Sequence, residues 1–263
     1  MMEYSKYEDV SIAKGVCGEE DYETKIFLYA LDGLMIDSGP KILEQDVVKF
    51  FEKQNIDQVV LTHNHEDHAG TAPWILKNTK VPVYLNAGAI SSAHQPPVMD
   101  GYVTKMWGIR DTFDPQPLPE KLVTRSGKYV LETIETPGHL PYHNCFIDRE
   151  RGWLFTGDLY LGTKLFISYK TENVGQMIVS IEKVLADYEF DTIFCAHAGV
   201  VEGGKARLNK KLLFLQDIQK QTRELRAQGM DDHAIAGELI PFMLTIEEIS
   251  GGDWSRYNII HTL

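Results

Sequence analysis

The 263-residue sequence predicts an α/β protein built from layers of sheet and helix. Short apolar runs typical of strands alternate with segments whose apolar residues recur at helical spacing, and this pattern occurs in two successive halves. Beyond Gly204 only helical spacing remains. We therefore expect a main domain over residues 1–204 and a C-terminal helical extension over 205–263 that packs on it.

The first half begins with a predicted hairpin over residues 25–37. Two apolar runs flank Asp32-Gly33, a dipeptide typical of two-residue hairpin turns. The following elements are a helix from Ile42 to about residue 53, a strand over 58–61, a helix starting near Thr71, and a strand over 81–85 in which Pro82 indicates a strand start or a sheet edge.

Residues 95–119 are the least regular part of the chain because five prolines interrupt them. We expect a long surface connection here, either a lid or substrate wall or a linker between the halves. Its side chains Met99, Met106 and Trp107 are expected to be exposed and to serve a lid or a homodimer contact.

The second half resumes the alternation of strands and helices. Its predicted elements are strands over 128–135, 144–148 and 153–156, a helix with Ile178 and Val184 on its apolar face, and a strand over 192–195. The extension is predicted to hold a long helix that ends near Gly229, a short helix capped by Asp231 or Asp232, and a helix at Thr245-Ile246-Glu247-Glu248, which has capping-box spacing.

Composition and charge narrow the class of protein. Hydrophobic residues are 43% and charged residues 24%, which excludes wholesale disorder. The formal net charge of −12 disfavours nucleic acid as a partner, and no apolar run approaches the ~18 residues of a membrane span. The N-terminus lacks the pattern of a secretory signal, and Cys17, Cys145 and Cys195 lack CxxC spacing. We expect a cytoplasmic protein with free thiols and a small-molecule substrate.

The motif His63-x-His65-x-Asp67-His68 carries the strongest functional signal. On an extended segment, His63 and His65 point to the same side and can converge on one ion. Burying three imidazoles and a carboxylate without partners would cost several kcal/mol, whereas both groups are standard ligands of zinc-like ions. The motif therefore predicts a metal site.

Three further polar residues lie just beyond predicted strands. His139 follows Thr136-Pro137-Gly138, Asp158 follows Thr156-Gly157, and His197 follows Cys195-Ala196. Because sites in layered α/β folds form where strands end, we expect these side chains to gather at one rim of a sheet.

The ordered set of seven residues resembles the metallo-β-lactamase superfamily over roughly residues 25–200, including Ile36-Asp37-Ser38-Gly39 ahead of the motif. The resemblance implies a four-layered αββα sandwich with a dinuclear metal site at one edge of two facing sheets. It places one ion on His63, His65 and His139, and a second on Asp67, His68 and His197, with Asp158 bridging both.

The resemblance also implies a hydrolase with two divalent ions; zinc is the main expectation, and manganese and iron are the alternatives. A metal-bridging hydroxide would attack an ester, thioester or lactone. Asp67 is expected as a ligand that can orient water, and Tyr160 either contacts the oxyanion or packs beside the strand. Lys164 and His143 are candidate substrate-site residues, and His143 is alternatively a partner of a ligand. Because ligands must be unprotonated, activity and metal affinity are expected to fall below about pH 6.

Other functions in the same superfamily remain open. A mononuclear iron persulfide dioxygenase would use only His63, His139 and Asp158. A phosphodiesterase or nuclease is disfavoured by the net charge, and a secreted β-lactamase by the missing signal peptide. In lactonases of this family a tyrosine is expected where this chain has Leu161.

Overall fold

Two facing β-sheets form the centre of the molecule, as a computed structural model of residues 2–19, 22–97 and 101–263 shows. The first sheet is antiparallel from β1 to β4 and parallel from β4 to β7. Its strands follow chain order: β1 (Glu3–Tyr7), β2 (Val10–Cys17), β3 (Thr24–Leu31), β4 (Leu34–Ile36), β5 (Gln58–Val60), β6 (Val83–Leu85) and β7 (Gln116–Pro117).

The second sheet has six strands, and a separate pair forms a small third sheet. The strands from the second half of the chain are β8 (Lys121–Val123), β9 (Val130–Glu135), β10 (Asn144–Asp148), β11 (Trp153–Gly157), β12 (Ser168–Tyr169), β13 (Thr192–Cys195), β14 (Gly199–Glu202) and β15 (Trp254–Ser255). The six-stranded sheet has the order β14-β13-β11-β10-β9-β8, and β12 pairs with β15.

Helices cover the outer faces of both sheets. They are α1 (Glu44–Lys53), α2 (Glu66–Ala69), α3 (Ala72–Asn78), α4 (Ile90–Ala93), α5 (Gly101–Trp107), α6 (Val174–Asp187), α7 (Gly204–Ala227), α8 (Asp232–Leu239), α9 (Thr245–Ile249) and α10 (Arg256–His261). Within the described ranges, no helix combines the length and the apolar character that crossing a membrane requires.

Alternating side chains on the strands build three cores. On β3, Ile26 and Leu28 pack with α1 and α3, whereas Tyr29 and Leu31 point into the space between the sheets. On β13, Phe194 joins the inter-sheet core and Ile193 packs toward α6 and α7. The order of layers is helix, sheet, sheet, helix, so the predicted four-layered sandwich is confirmed.

The predicted hairpin forms at Asp32-Gly33, where both residues have positive φ (46° and 85°), as a type I′ turn requires. Pro82 precedes β6, which lies inside the sheet between β5 and β7, so it marks a strand start. The helix near Thr245 forms, but its N-cap is Leu244 and no side chain caps it, so the capping box is absent at this helix.

Residues 95–119 differ from the expectation in one respect. They contain α5, and Met106 on this helix is buried (8% exposed), while Trp107 is half-buried against the core formed with α1 and α3. The prediction that both are exposed was wrong, because the helix turns them toward that core. Met99 lies outside the described residues.

The extension shares its core with the second half of the main domain. Leu208 and Leu215 of α7 pack in the same apolar cluster as Ile178 and Ile181 of α6. The extension is not entirely helical, because β15 pairs with β12 from the main domain. A division at residue 204 stays a prediction.

Candidate metal centre

The seven predicted ligands lie together at one edge of the two sheets, because each follows the end of a strand. His63 and His65 lie just beyond β5, and the first turn of α2 carries Asp67 and His68. The other ligands follow β9, β11 and β13: they are His139, Asp158 and His197. The expected gathering at one rim is observed.

One group within the cluster consists of three histidines. Ligand atoms of His63, His65 and His139 lie within 4.8 Å of one another. His139 Nε2 is 2.9 Å from His65 Nδ1. His63 Nε2 is buried and has no hydrogen-bond partner among the described residues. A trio of imidazole nitrogens, one of them unsatisfied, fits a divalent cation such as Zn²⁺.

The second group mixes histidines and carboxylates. Ligand atoms of Asp67, His68, Asp158 and His197 also lie within 4.8 Å of one another. His197 Nε2 is 3.2 Å from Asp67 Oδ2, and the buried His68 Nε2 makes no hydrogen bond in the described part of the chain. Nitrogen and carboxylate ligands in this number fit a second divalent cation.

Asp158 lies between the two groups. Its Oδ2 is 3.3 Å from His139 Nε2, and its Oδ1 is 3.3 Å from His197 Nε2. The carboxylate therefore presents one oxygen to each group, the arrangement that a bridging ligand needs.

Hydrogen bonds from behind orient the rings of His68 and His197, and the Glu172 carboxylate lies close to the ring of His139 without a hydrogen bond to it. His68 Nδ1 is 2.8 Å from Asp37 Oδ2, and His139 Nδ1 is 3.0 Å from Glu172 Oε1. His197 Nδ1 lies 2.8 Å from the carbonyl oxygen of Lys25, which can only accept, so this nitrogen carries the proton. In each case Nε2 is left to face the centre, and such partners raise the basicity of a ligand.

The charges in the cluster shift its pKa values in opposite directions. Burial raises the pKa of Asp67, but His68 and His197 outweigh it and lower this pKa to about 2. Burial and the neighbouring His139 lower the pKa of His65 to about 3. Burial also lowers the pKa of His197, yet Asp158 and Asp67 raise it well above its usual value. The carboxylates are thus ionised and attract positive charge, which bound cations would supply in place of protons.

The remaining predicted residues, Tyr160, Lys164 and His143, lie in three different environments. Tyr160 is 4% exposed, and its ring lies in the apolar core toward α6 and α7. Burial raises the pKa of its hydroxyl. Lys164 is exposed, with its ammonium 5.9 Å from the Phe166 ring. The placement of Tyr160 favours packing over contact with an oxyanion.

His143 is fully buried and faces protein groups. Its Nδ1 is 2.8 Å from Thr136 Oγ1, and its Nε2 accepts a hydrogen bond from the Asp158 backbone N–H at 3.2 Å. Burial lowers the pKa of His143 well below its usual value, which keeps Nε2 free to accept. Both ring nitrogens are engaged, so His143 positions Asp158 and does not contact substrate as one of its predicted roles required.

Two residues that lie behind the histidines of the cluster, Asp37 and Glu172, were not predicted in this role from the sequence. Asp37 ends the hairpin at positive φ (58°), and its Oδ1 accepts a hydrogen bond from the Thr62 backbone N–H at 2.8 Å. Its place in Ile36-Asp37-Ser38-Gly39 was a usable signal. Glu172 carries no such signal, because nothing in its local spacing marks it.

Two facing sheets between helices, with a His/Asp cluster able to hold metal at their edge, define an αββα protein with a candidate metal centre. The model of the metallo-beta-lactamase superfamily matches residues 31–197, more than half of the chain. The chain belongs to this superfamily, as its motifs indicated.

Curated relatives are distant and mostly longer. The chain is 27% identical over 207 residues to the lactamase-like protein aptB of Emericella nidulans, a match that covers 74% of this chain and 58% of that protein. It is 25% identical over 234 residues to an atrochrysone carboxyl ACP thioesterase of the same organism, covering 80% and 67%. The chain thus spans about half to two thirds of the length of these relatives.

Solved structures support the fold. A beta-lactamase domain protein from Burkholderia ambifaria has a TM-score of 0.71 at 15% identity, covering 98% of this chain and 86% of that chain. A metallo-beta-lactamase family protein from Thermus thermophilus has a TM-score of 0.65 at 18% identity, covering 97% and 91%. Both matches include the C-terminal extension.

Proposed function

We propose that this protein is a hydrolase that uses two divalent metal ions to cleave a thioester, with zinc as the preferred metal. The observation that carries the proposal is the position of Asp158, whose two oxygens face the two ligand groups at 3.3 Å each. A site for a single ion would not need the second group, Asp67, His68 and His197, to be complete.

The ligand sets follow from the two groups. His63, His65 and His139 would hold one ion; Asp67, His68 and His197 the other; and Asp158 would contact both. Ions bound there would supply hydroxide at neutral pH and polarise the scissile carbonyl.

Exposure indicates the side from which a substrate approaches. His63, His139 and Asp158 are almost fully buried, whereas His65 and His197 are partly exposed. The reacting carbonyl would therefore approach from the side of His65 and His197. The buried ligands form a floor that excludes water from behind, which strengthens the electrostatic interactions of the site.

A thioester is favoured over an ester or lactone by the relatives. Several of them are named as thioesterases, among them those of Emericella nidulans and Claviceps purpurea. In the proposed reaction water adds to the thioester carbonyl, the C–S bond breaks, and the products are a carboxylic acid and a thiol. No oxidant or other co-reactant is needed.

The test combines metal analysis with a substrate panel on one preparation. We expect about two zinc or manganese ions per chain, and hydrolysis of an acyl-N-acetylcysteamine thioester that is lost with EDTA and restored by Zn²⁺. The panel also includes a lactone, a β-lactam, a phosphodiester and a persulfide.

Each alternative has its own outcome in this panel. One iron per chain with oxygen consumption on a persulfide would indicate a dioxygenase. Cleavage of the phosphodiester alone would indicate a nuclease or phosphodiesterase. Inactivity of the metal-loaded protein on the whole panel would overturn the proposal.

A further inference from the structure

Tyr169 lies beside His65, Trp254 packs against Tyr169, and Tyr102 is joined to the same segment through Asp253. We call Tyr102, Tyr169 and Trp254 the aromatic corner. The Tyr169 ring centroid is 6.4 Å from that of His65, with its plane at 85°, and 5.3 Å from that of Trp254. Tyr102 donates a hydrogen bond to Asp253 Oδ2 at 3.3 Å. The corner therefore extends from a metal ligand to a segment of the C-terminal extension.

The backbone holds this corner in place. Tyr169 and Trp254 are paired residues of the β12–β15 sheet. Asn258 Nδ2 donates to the carbonyl oxygens of Ser168 and Asp253, at 2.9 Å each. The rings are thus presented by two strands joined at several points, which is the preorganisation that a binding surface needs.

The three side chains of the corner are partly accessible, and their aromatic rings are uncharged. Tyr102, Tyr169 and Trp254 are each partly exposed, as is His65 beside them. The nearby Lys170 ammonium is 2.7 Å from Asp253 Oδ1, so these two charges compensate each other. A surface of aromatic rings with compensated charges favours an apolar group over an anionic one.

We propose that the aromatic corner binds the acyl group of the substrate, and that this group is large and apolar. The inference rests on the proposed thioester hydrolysis, because the corner adjoins His65, a partly exposed residue beside which the carbonyl is proposed to approach. The thiol portion then points away from Trp254. Each methylene buried against the rings would raise kcat/KM by up to about fourfold.

The test compares N-acetylcysteamine thioesters of acetate, hexanoate and decanoate on the zinc-loaded protein. We expect kcat/KM to rise with chain length, and Trp254→Ala to lower it at least tenfold for the decanoyl ester but less than twofold for the acetyl ester. Tyr257→Ala is the matched control: its ring stacks on His233 and His261 in the same extension. The control should leave the chain-length series unchanged.

A second measurement does not depend on turnover. Decanoate added to metal-free protein should quench tryptophan fluorescence, and the quench should disappear in Trp254→Phe, which keeps an aromatic ring and lacks the indole. This variant also serves if Trp254→Ala does not fold. A benzoyl thioester in the series distinguishes an aromatic from an alkyl acyl group.

Two results would overturn the inference and leave the proposed function intact. One is hydrolysis of all the thioesters at similar kcat/KM; the other is an equal loss for acetyl and decanoyl esters in Trp254→Ala. Absence of any thioester hydrolysis would instead contradict the proposed function, and decanoate quenching would then still report on the corner.

Discussion

Oε1 of Glu172 lies 3.0 Å from Nδ1 of His139, and both side chains are buried. Ser168 Oγ donates to the other carboxylate oxygen of Glu172 at 2.7 Å. Since Ser168 belongs to β12, the same two-residue strand supports a metal ligand through Glu172 and presents Tyr169 to the aromatic corner. One element therefore carries both the residue that holds Glu172 beside His139 and a ring of the aromatic corner.

Replacing Glu172 should weaken metal binding. We expect Glu172→Ala to lower zinc affinity by about 10- to 100-fold, because His139 loses the carboxylate that lies beside its ring and raises its basicity. Glu172→Gln keeps an acceptor without the charge, so its zinc affinity should lie between that of Glu172→Ala and that of the parent. A zinc titration against a competing chelator measures both. Exposed Glu182 of α6 provides the control, Glu182→Ala, and equal affinity in all variants would contradict the role.

The sequence located the side chains of the cluster better than the groups that lie behind them. His63 to His68 lie within one short motif, and His139, Asp158 and His197 each follow a strand, so both signals are local. Glu172 acts on a residue that is distant along the chain. Such pairs arise from how β12 and α6 are placed in three dimensions, and no local spacing encodes them.

The missed elements of the fold have a similar explanation. Strand β1 lies at the edge of the first sheet, and its side chains are mostly exposed. Its sequence therefore lacks the apolar alternation that predicts a strand. The helix α5 is short, and β15 has two residues that are stabilised by pairing with β12. Tertiary packing decides these elements where local pattern is weak.

Removing the shared carboxylate should reduce the number of bound ions. In Asp158→Asn the charge that faces both ligand groups is lost, so we expect metal content to fall to about one ion per chain or less and thioester hydrolysis to be abolished. Elemental analysis after equilibration with Zn²⁺ measures the first effect. Asp187→Asn, an exposed change on α6, should retain full metal content. Unchanged turnover in Asp158→Asn would contradict the dinuclear site.

A methyl group at Gly138 should disturb His139, its neighbour. Gly138 has φ of +143°, and a Cβ there would lie 2.6 Å from the Cα and N of Met177 in α6. We expect Gly138→Ala to lower the free energy of unfolding by about 1–3 kcal/mol and to reduce metal content. Gly127→Ala is a matched control, because Gly127 also has positive φ (+76°) but nothing within 4 Å of its Cβ position. The control should lose some stability and keep its metal; the same metal loss in both would contradict the steric argument.

Lys211 connects the extension to the loop that follows Asp158. The side chain is fully buried, and its Nζ donates to the carbonyl oxygens of Leu159 at 2.7 Å and Tyr160 at 2.9 Å. Burial lowers the pKa of Lys211 from 10.5 to about 8. The folded protein thus releases this proton at a lower pH than the unfolded chain does.

The consequence is a pH-dependent contribution to stability with a defined sign. Between about pH 8 and pH 10.5 the unfolded chain binds more protons at this lysine than the folded protein, so the free energy of unfolding rises with pH in this window. The contribution reaches about 3 kcal/mol.

In Lys211→Met this increment is absent, although the change also leaves two carbonyl oxygens without their donor. Urea unfolding of metal-free protein should therefore show that the free energy of unfolding of the parent, relative to that of Lys211→Met, is higher at pH 10 than at pH 7.5. The control Lys210→Met, at an exposed position on the same helix, should follow the parent. A constant difference between the parent and Lys211→Met at both pH values would contradict the lowered pKa of this lysine in the folded protein.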